Sequence, residues 1–197
     1  AEQSISSMDE CDHQQLSNTF WAFAALCFTH RPLSSAISSA ALRRLVDFSC
    51  QDLSNTVWSC ATLGCDDAPL LDAIAAEALR KLRDFDQQGL PNTAWAFAVL
   101  WVRHRPLLDS IAAEARTKIS HFIPQGLANT AWAFAAIGCA HVPLLHSIAA
   151  AARRPSRAAA LLDAQNISNL AWSFASIGFC DLPLLAALSS AAIRNMS

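Results

Sequence analysis

Apolar and polar positions recur along the chain at a nearly constant interval, and this recurrence predicts the architecture. Each copy carries a segment of the form W-[AS]-[FC]-A, with a glutamine seven residues before the tryptophan, an asparagine three before it and a proline eleven after it. The tryptophans lie 37, 37, 37 and 40 residues apart, at Trp21, Trp58, Trp95, Trp132 and Trp172. Four positions held in all five copies indicate a helical repeat array.

Within one repeat, the pattern predicts two helices joined by a short turn. The first helix has a good N-cap in four repeats, at Asp12, Ser49, Asp86 and Asp163. Apolar residues stand before and after each cap, at the spacing of a hydrophobic staple. Glycine ends this helix where it is present, as at Gly64. The proline then opens the second helix, whose apolar residues recur at helical spacing.

The first helix of each repeat carries apolar residues on two opposite sides. On a helical wheel, Leu90 and Phe97 share one side, whereas Gln88, Asn92 and Trp95 share the other. We expect such a helix to be sandwiched between neighbours, with each tryptophan burying about 150–250 Å². An isolated hairpin could not bury both sides, so the chain predicts an all-α fold, a right-handed α-solenoid of about five 37-residue helix–turn–helix repeats.

We expect residues 1–197 to form a single α-solenoid. The fourth repeat is three residues longer than the others and contains Pro155, so its second helix is expected to break or kink near Arg154. The chain starts at Ala1 and reaches Ser197 within a fifth second helix, which suggests a removed leader and a longer array. The repeats cover approximately residues 11–47, 48–84, 85–121, 122–161 and 162–197.

Composition argues against several function classes. The chain is 53% hydrophobic and 15% charged, yet its apolar stretches are shorter than the about 20 residues of a membrane span. It carries no glycine-rich phosphate loop, no G-x-S-x-G and no H-x-x-x-H or C-x-x-C spacing, so we expect no catalysis, metal, cofactor or small-molecule substrate. Seven cysteines without a C-x-x-C pair predict reduced thiols and an intracellular compartment.

The repeated amides are the sharpest candidates for a binding site. Placed once per repeat at one register, they would offer hydrogen-bond donors and acceptors to an extended polymer such as single-stranded RNA. The alternative is that they satisfy buried groups of neighbouring repeats. Because they do not vary between copies, they would hold a backbone or any base and would not read sequence. They are Gln14, Asn18, Gln51, Asn55, Gln88, Asn92, Gln125, Asn129, Gln165 and Asn169.

Basic residues near the ends of the second helices form a second candidate set. Repeated once per unit, they could contact a phosphate backbone, although the formal net charge of the chain is −2. The alternative is that they complement the helix dipole. Trp101 with Arg103, His104 and Arg105 could add a stacking and phosphate contact, or form an exposed loop. The phosphate-contact candidates are Arg43, Arg44, Arg80, Lys81, Arg83, Arg116, Lys118, Arg153, Arg154 and Arg157.

The pattern [DS]-x-Q-x-[LI]-x-N-x-x-W-[AS]-[FC]-A, followed by a proline-led L-L-x-x-I helix, resembles a known family over about residues 11–196. It is similar to the heptatricopeptide and octotricopeptide repeats of organellar proteins, here without the RAP domain that many members carry. The resemblance implies an α-solenoid that binds organellar RNA, with the RNA-facing residues on the first helix of each repeat.

The sequence therefore predicts a non-catalytic RNA-binding helical-repeat protein of a mitochondrion or plastid. Its partners would be single-stranded or ribosomal RNA and protein neighbours in a larger ribonucleoprotein, such as an organellar ribosome. The alternative function is a structural adaptor whose groove takes a protein helix or an extended peptide.

Overall fold

The computed structural model describes residues 10–154 and 162–196, and within these ranges the chain forms ten α-helices and no β-strand. Three short 3₁₀ turns, Leu45–Asp47, Leu82–Asp84 and Ile119–His121, follow α2, α4 and α6. The α-helices are α1 (His13–Ala25), α2 (Arg31–Arg44), α3 (Cys50–Leu63), α4 (Ala68–Lys81), α5 (Gly89–Val99), α6 (Arg105–Lys118), α7 (Pro124–Ala136), α8 (Val142–Ala152), α9 (Ala164–Ile177) and α10 (Leu182–Met196).

The odd-numbered helices, here called the first helices, begin close to the predicted caps. The side chains of Asp12, Ser49 and Asp163 each accept a hydrogen bond from the backbone N–H three residues later. Helix α5 begins later, at Gly89, because Asp86 accepts from the N–H groups of both Gln88 and Gly89 and so closes a turn before the helix. Four of the five first helices therefore start from a turn in which an aspartate or serine accepts from exposed N–H groups, whereas Ile123, the N-cap of α7, makes no side-chain hydrogen bond there.

The even-numbered helices, here called the second helices, begin with proline in the first turn. The residue two positions before the proline caps each of them, by accepting from the N–H of the leucine three residues later. Histidine does this through Nδ1 in three hairpins and aspartate through a carboxylate in two. The capping residues are His30, Asp67, His104, His141 and Asp181.

The hairpins stack so that like helices pack on like. Each first helix contacts the next first helix and each second helix contacts the next second helix, which gives two layers with the core between them. The first helices approach each other more closely, because small residues such as Ala94, Ala98 and Ala131 are buried at their contacts. At Gly126 of α7, an added Cβ would lie 3.3 Å from Cγ of Pro91 in α5.

The tryptophans are not buried in the core, which corrects the expectation from the sequence. Trp21 is 47% exposed and Trp172 is 49% exposed, while Trp58, Trp95 and Trp132 are half-buried. Small residues beside the tryptophans, such as Ala94 and Ala96 on either side of Trp95, are buried, and an indole does not fit between the first helices there. The ring therefore lies on the outer surface of the first-helix layer.

Lysine and arginine side chains near the ends of second helices tie each of these helices to the segment that leads into the first helix of the same hairpin. Nζ of Lys81 donates to the carbonyls of Val46 (2.7 Å) and Phe48 (2.6 Å), and it also pairs with Glu77 at 3.0 Å. Nη1 of Arg44 donates to the carbonyl of Cys11 at 2.7 Å. These backbone carbonyls lie between helices, so they have no hydrogen-bond partner within a helix. A charged side-chain donor satisfies them with a strong hydrogen bond.

Lys118 repeats this arrangement one hairpin later. Its Nζ donates to the carbonyls of Arg83 (2.6 Å) and Phe85 (2.7 Å) and pairs with Glu114 at 3.0 Å. In the last hairpin Nδ2 of Asn195 donates to the carbonyl of Leu162 at 2.9 Å. The same contact therefore recurs along the second-helix layer and holds the end of each of these second helices against the start of its own hairpin.

Helix α8 ends early, as the longer fourth repeat predicts. It stops at Ala152, and Nε of Arg153 donates to the carbonyl of Ala149. The predicted break near Arg154 thus falls at the observed end of the helix, while Pro155 and Arg157 lie outside the described residues.

We predict that Lys118→Met lowers stability by about 1–3 kcal/mol, because it removes two charge-assisted hydrogen bonds and leaves two carbonyls unpaired. Arg116→Met on the same helix is the matched control, since Arg116 is exposed and makes no hydrogen bond or ion pair in the described part of the chain. It should change stability by less than about 0.5 kcal/mol. Urea unfolding followed by circular dichroism measures both, and equal midpoints would show that the lysine contact contributes nothing.

Candidate functional site

The outer surface of the first-helix layer carries the glutamine, asparagine and tryptophan of each repeat, here called the amide–tryptophan stripe. In α5 the residues Leu90, Thr93 and Phe97 are buried, whereas Gln88 is exposed and Asn92 is half-buried. The two sides predicted by the helical wheel therefore have different environments. One is the core, and the other faces the surface.

The stripes of neighbouring helices together line a groove of about 310 Å³ that crosses α1, α3, α5 and α7. Two tryptophan rings, amide side chains of the stripe and apolar side chains form its walls. The lining residues are Trp21, Asn55, Trp58, Gln87, Gln88, Pro91, Asn92, Ile123, Gln125, Gly126 and Asn129. Further along the same surface, the rings of Trp132 and Trp172 lie 6.3 Å apart.

The amides predicted from the sequence are accessible. All ten are exposed or half-buried, and five of them, Asn55, Gln88, Asn92, Gln125 and Asn129, line the groove. Within the described residues, no side-chain amide of the ten makes a hydrogen bond to the protein. These amides therefore do not satisfy buried groups of neighbouring repeats, which was the alternative. Their donors and acceptors are available to a ligand. The other five, outside the groove lining, are Gln14, Asn18, Gln51, Gln165 and Asn169.

No lysine or arginine lines this groove in the part of the chain that the structure describes. Lys81 lies in a different cavity, beside Gln51 and close to the acidic side chains of Asp47, Asp84 and Asp86. Three carboxylates around one ammonium group disfavour an anionic ligand there. The groove is thus uncharged and combines aromatic faces with amide groups, which suits stacking and neutral hydrogen bonds but not phosphate.

The ten basic candidates do not form a continuous phosphate-binding ridge. Arg44, Lys81 and Lys118 use their donors on backbone carbonyls close to the first helices, which leaves them poorly suited to contact phosphate. Arg80 pairs with Glu77 at 2.9 Å and Arg153 reaches Asp181 at 4.0 Å. Arg43 is exposed, and Arg157 lies outside the described residues. Arg83, Arg116 and Arg154 are exposed and have no ion pair in the described ranges.

Trp101 has an unusual backbone that the sequence pattern did not reveal. It follows the end of α5 in the left-handed region, with φ +57°, and 67% of its surface is exposed. Gly64, Gly138 and Gly178 occupy the corresponding positions of other repeats, also with positive φ. A bulky residue is strained there, by of order 1–3 kcal/mol. The sequence does contain a signal for the positive φ: three of the five residues at this position are glycine, and the other two are Cys27 and Trp101.

Arg103 and Arg105 are exposed beside Trp101, whereas His104 caps α6 through Nδ1. The predicted stacking and phosphate contact therefore keeps its tryptophan and two arginines, and the histidine has a structural role. Among the described residues, no three His, Cys, Asp or Glu side chains are placed to hold a metal ion. Nor is any described helix both long and apolar enough to cross a membrane.

A comparison with protein families matches residues 1–182 to the family described as RNA-editing substrate-binding complex 6 protein. No curated protein matches the chain significantly.

We predict that Trp101→Gly stabilises the protein by about 1 kcal/mol, because glycine adopts positive φ without strain and the largely exposed indole has little packing to lose. The reciprocal change, Gly64→Ala, should destabilise by about 1 kcal/mol. An added Cβ at Gly64 meets no atom within 4 Å, so its effect reports the backbone alone. Thermal unfolding measures both variants, and a loss of stability in Trp101→Gly would mean that the indole packs against the protein in solution.

Proposed function

Because the chain belongs to the RNA-editing substrate-binding complex 6 protein family, we propose that it is a non-catalytic, RNA-associated subunit of such a complex. We propose further that its two helical layers form one α-solenoid of about five 37-residue repeats over residues 1–197. The resemblance to heptatricopeptide and octotricopeptide repeats and a mitochondrial or plastid location remain predictions. The family description refers to editing substrates, so we favour an edited transcript over ribosomal RNA and an organellar ribosome.

The observation that carries this proposal is the amide–tryptophan stripe on the outer surface of the first helices. Exposed and half-buried indoles in register supply stacking platforms for unpaired bases, and stacking contributes about 1–3 kcal/mol per base whatever the sequence. Free amides one turn away can hydrogen-bond the edges of those bases. Because the same residues recur in each repeat, this surface would hold single-stranded RNA without reading its sequence.

The phosphates of such an RNA need cations from outside the groove. Arg83, Arg116 and Arg154 are exposed on the second-helix side, and Arg103 and Arg105 flank Trp101. A few such contacts give modest affinity that falls as salt rises. We therefore expect weak binding by the isolated protein and stronger binding when neighbouring subunits supply further cations.

The absence of cations from the described groove also favours a second candidate function, the structural adaptor. An extended peptide presents one amide donor and one acceptor per residue and carries no backbone charge. It rises about 3.3 Å per residue, so three residues span about the 8–10 Å between packed helices. One asparagine per first helix could then bind one peptide unit in three, with the tryptophans packing on the side chains between them.

We predict that the triple variant Asn55→Ala, Asn92→Ala, Asn129→Ala lowers affinity for single-stranded RNA at least tenfold, because it removes three hydrogen-bonding groups worth about 0.5–1.5 kcal/mol each. Folding should be unchanged, since these amides make no hydrogen bond within the described part of the protein. Fluorescence anisotropy with a labelled oligonucleotide at low salt measures the affinity.

The matched control is Ser39→Ala, Thr117→Ala, Ser189→Ala, which removes three exposed hydroxyls from second helices. Its affinity should stay within about twofold of the unmodified protein. Equal affinity in the two triple variants would exclude the groove as the RNA site. If crosslinking of the native complex then placed a protein segment over Asn92, the adaptor function would replace the RNA-binding one.

A further inference from the structure

Each first helix ends in the same turn, and this turn brings two side chains together. In all five hairpins a backbone N–H in this turn donates to the carbonyl of the residue five positions earlier in the chain. The donor–acceptor distance is 2.8–3.0 Å. This is the Schellman arrangement, which a hydrophobic contact between the two residues commonly accompanies. The rings of Phe23–Phe28 and of Phe174–Phe179 make this contact, with centroids 5.6 Å apart in each pair, and two further hairpins have Phe97–Val102 and Phe134–Cys139 at the same positions.

The second hairpin places two cysteines at these positions. Cys65 N–H donates to the carbonyl of Cys60 at 2.8 Å, so the turn holds the two residues as close as it holds Phe23 and Phe28, whose ring centroids lie 5.6 Å apart. Cys60 is fully buried in the core, and Cys65 is half-buried at the surface. The backbone hydrogen bond therefore places the two thiols at the positions where a Schellman turn makes its side-chain contact.

The two thiols also differ in acidity. The hydrogen bond from Cys60 lowers the pKa of Cys65 to about 7, against the opposing effect of burial. The same hydrogen bond, together with burial, raises the pKa of Cys60 well above its usual value. One accessible thiol that ionises readily and one protected thiol behind it are the two parts that intramolecular thiol–disulfide exchange requires.

We propose that Cys60 and Cys65 are an oxidisable dithiol, a modification site that closes to an intramolecular disulfide by exchange with a small-molecule disulfide such as oxidised glutathione. The Cys65 thiolate attacks one sulfur of that disulfide, forms a mixed disulfide and releases one glutathione thiolate. The Cys60 thiol then loses its proton to solvent and attacks the Cys65 sulfur, which releases the second glutathione thiolate. The two cysteines lose two electrons, and the small disulfide gains them.

The structural effect is confined to the turn between α3 and α4. The new bond would span Gly64, whose φ of +64° closes the helix, and would tie the end of α3 to the turn residue Cys65, before α4 begins. Trp58 and Asn55, which line the groove, lie on α3. The dithiol is independent of the proposed RNA-associated function, so either can fail without the other.

The test is to incubate the full chain with oxidised glutathione at neutral pH, block remaining thiols and map disulfides by peptide mass spectrometry. We expect a Cys60–Cys65 disulfide and release of two equivalents of glutathione from this pair. Cys139, whose counterpart is Phe134 and whose pKa burial raises, should react at least about tenfold more slowly and only to a mixed disulfide.

Two variants that copy residues of the other hairpins separate the steps. Cys60→Phe restores the aromatic residue found in four hairpins, and it should stop at a stable mixed disulfide on Cys65. Cys65→Val copies Val102 of the third hairpin, and it should leave Cys60 unmodified. Circular dichroism of each variant checks that it folds. If the folded native protein yields mixed disulfides at exposed Cys27 and Cys180 but no Cys60–Cys65 bond, the proposal is wrong.

Discussion

The close contact between successive first helices is the constraint on which the rest of the structure depends. Alanines such as Ala94 and Ala98 are buried there, and Gly126 faces Pro91 with almost no room for a Cβ. At such a separation a large side chain cannot lie between the helices. The core must therefore be filled from the inner side, by Phe97 and its counterparts, and the indoles must turn outward. The position of the tryptophans follows from the size of their neighbours.

The same packing decides the charge of the surface. First helices in the described ranges carry no lysine or arginine, and the cations lie on the second helices or the turns beside them. There Lys81 and Lys118 are held by backbone carbonyls just before the first helix of their own hairpin and by a glutamate one turn earlier. Cations that bind these carbonyls are not available to a ligand, and no lysine or arginine of the described ranges lines the groove.

Local signals in the sequence predicted most of the helix boundaries. Asp12 and Gly64 act through contacts within a few residues, so their roles can be read from spacing alone. Contacts between residues far apart in the sequence were not predictable in this way. Lys81 has its partners 33 and 35 residues earlier, and it resembles any cation at a helix end. The wheel separated the two sides of the first helix, but hydrophobicity could not tell which of them faces the core, because both carry large apolar residues.

An uncharged groove changes what RNA association by this chain would require. Stacking and amide hydrogen bonds act over short distances and do not attract a polyanion, whereas long-range attraction needs cations that are free of partners. Most of the described cations near the ends of second helices already have partners. A division of roles follows, in which neighbouring subunits bring the RNA to this surface and the indoles and amides then hold its bases. A chain that binds RNA in this way depends on the other subunits of its complex for affinity. In return, it gives the complex a surface that binds RNA bases whatever the RNA sequence.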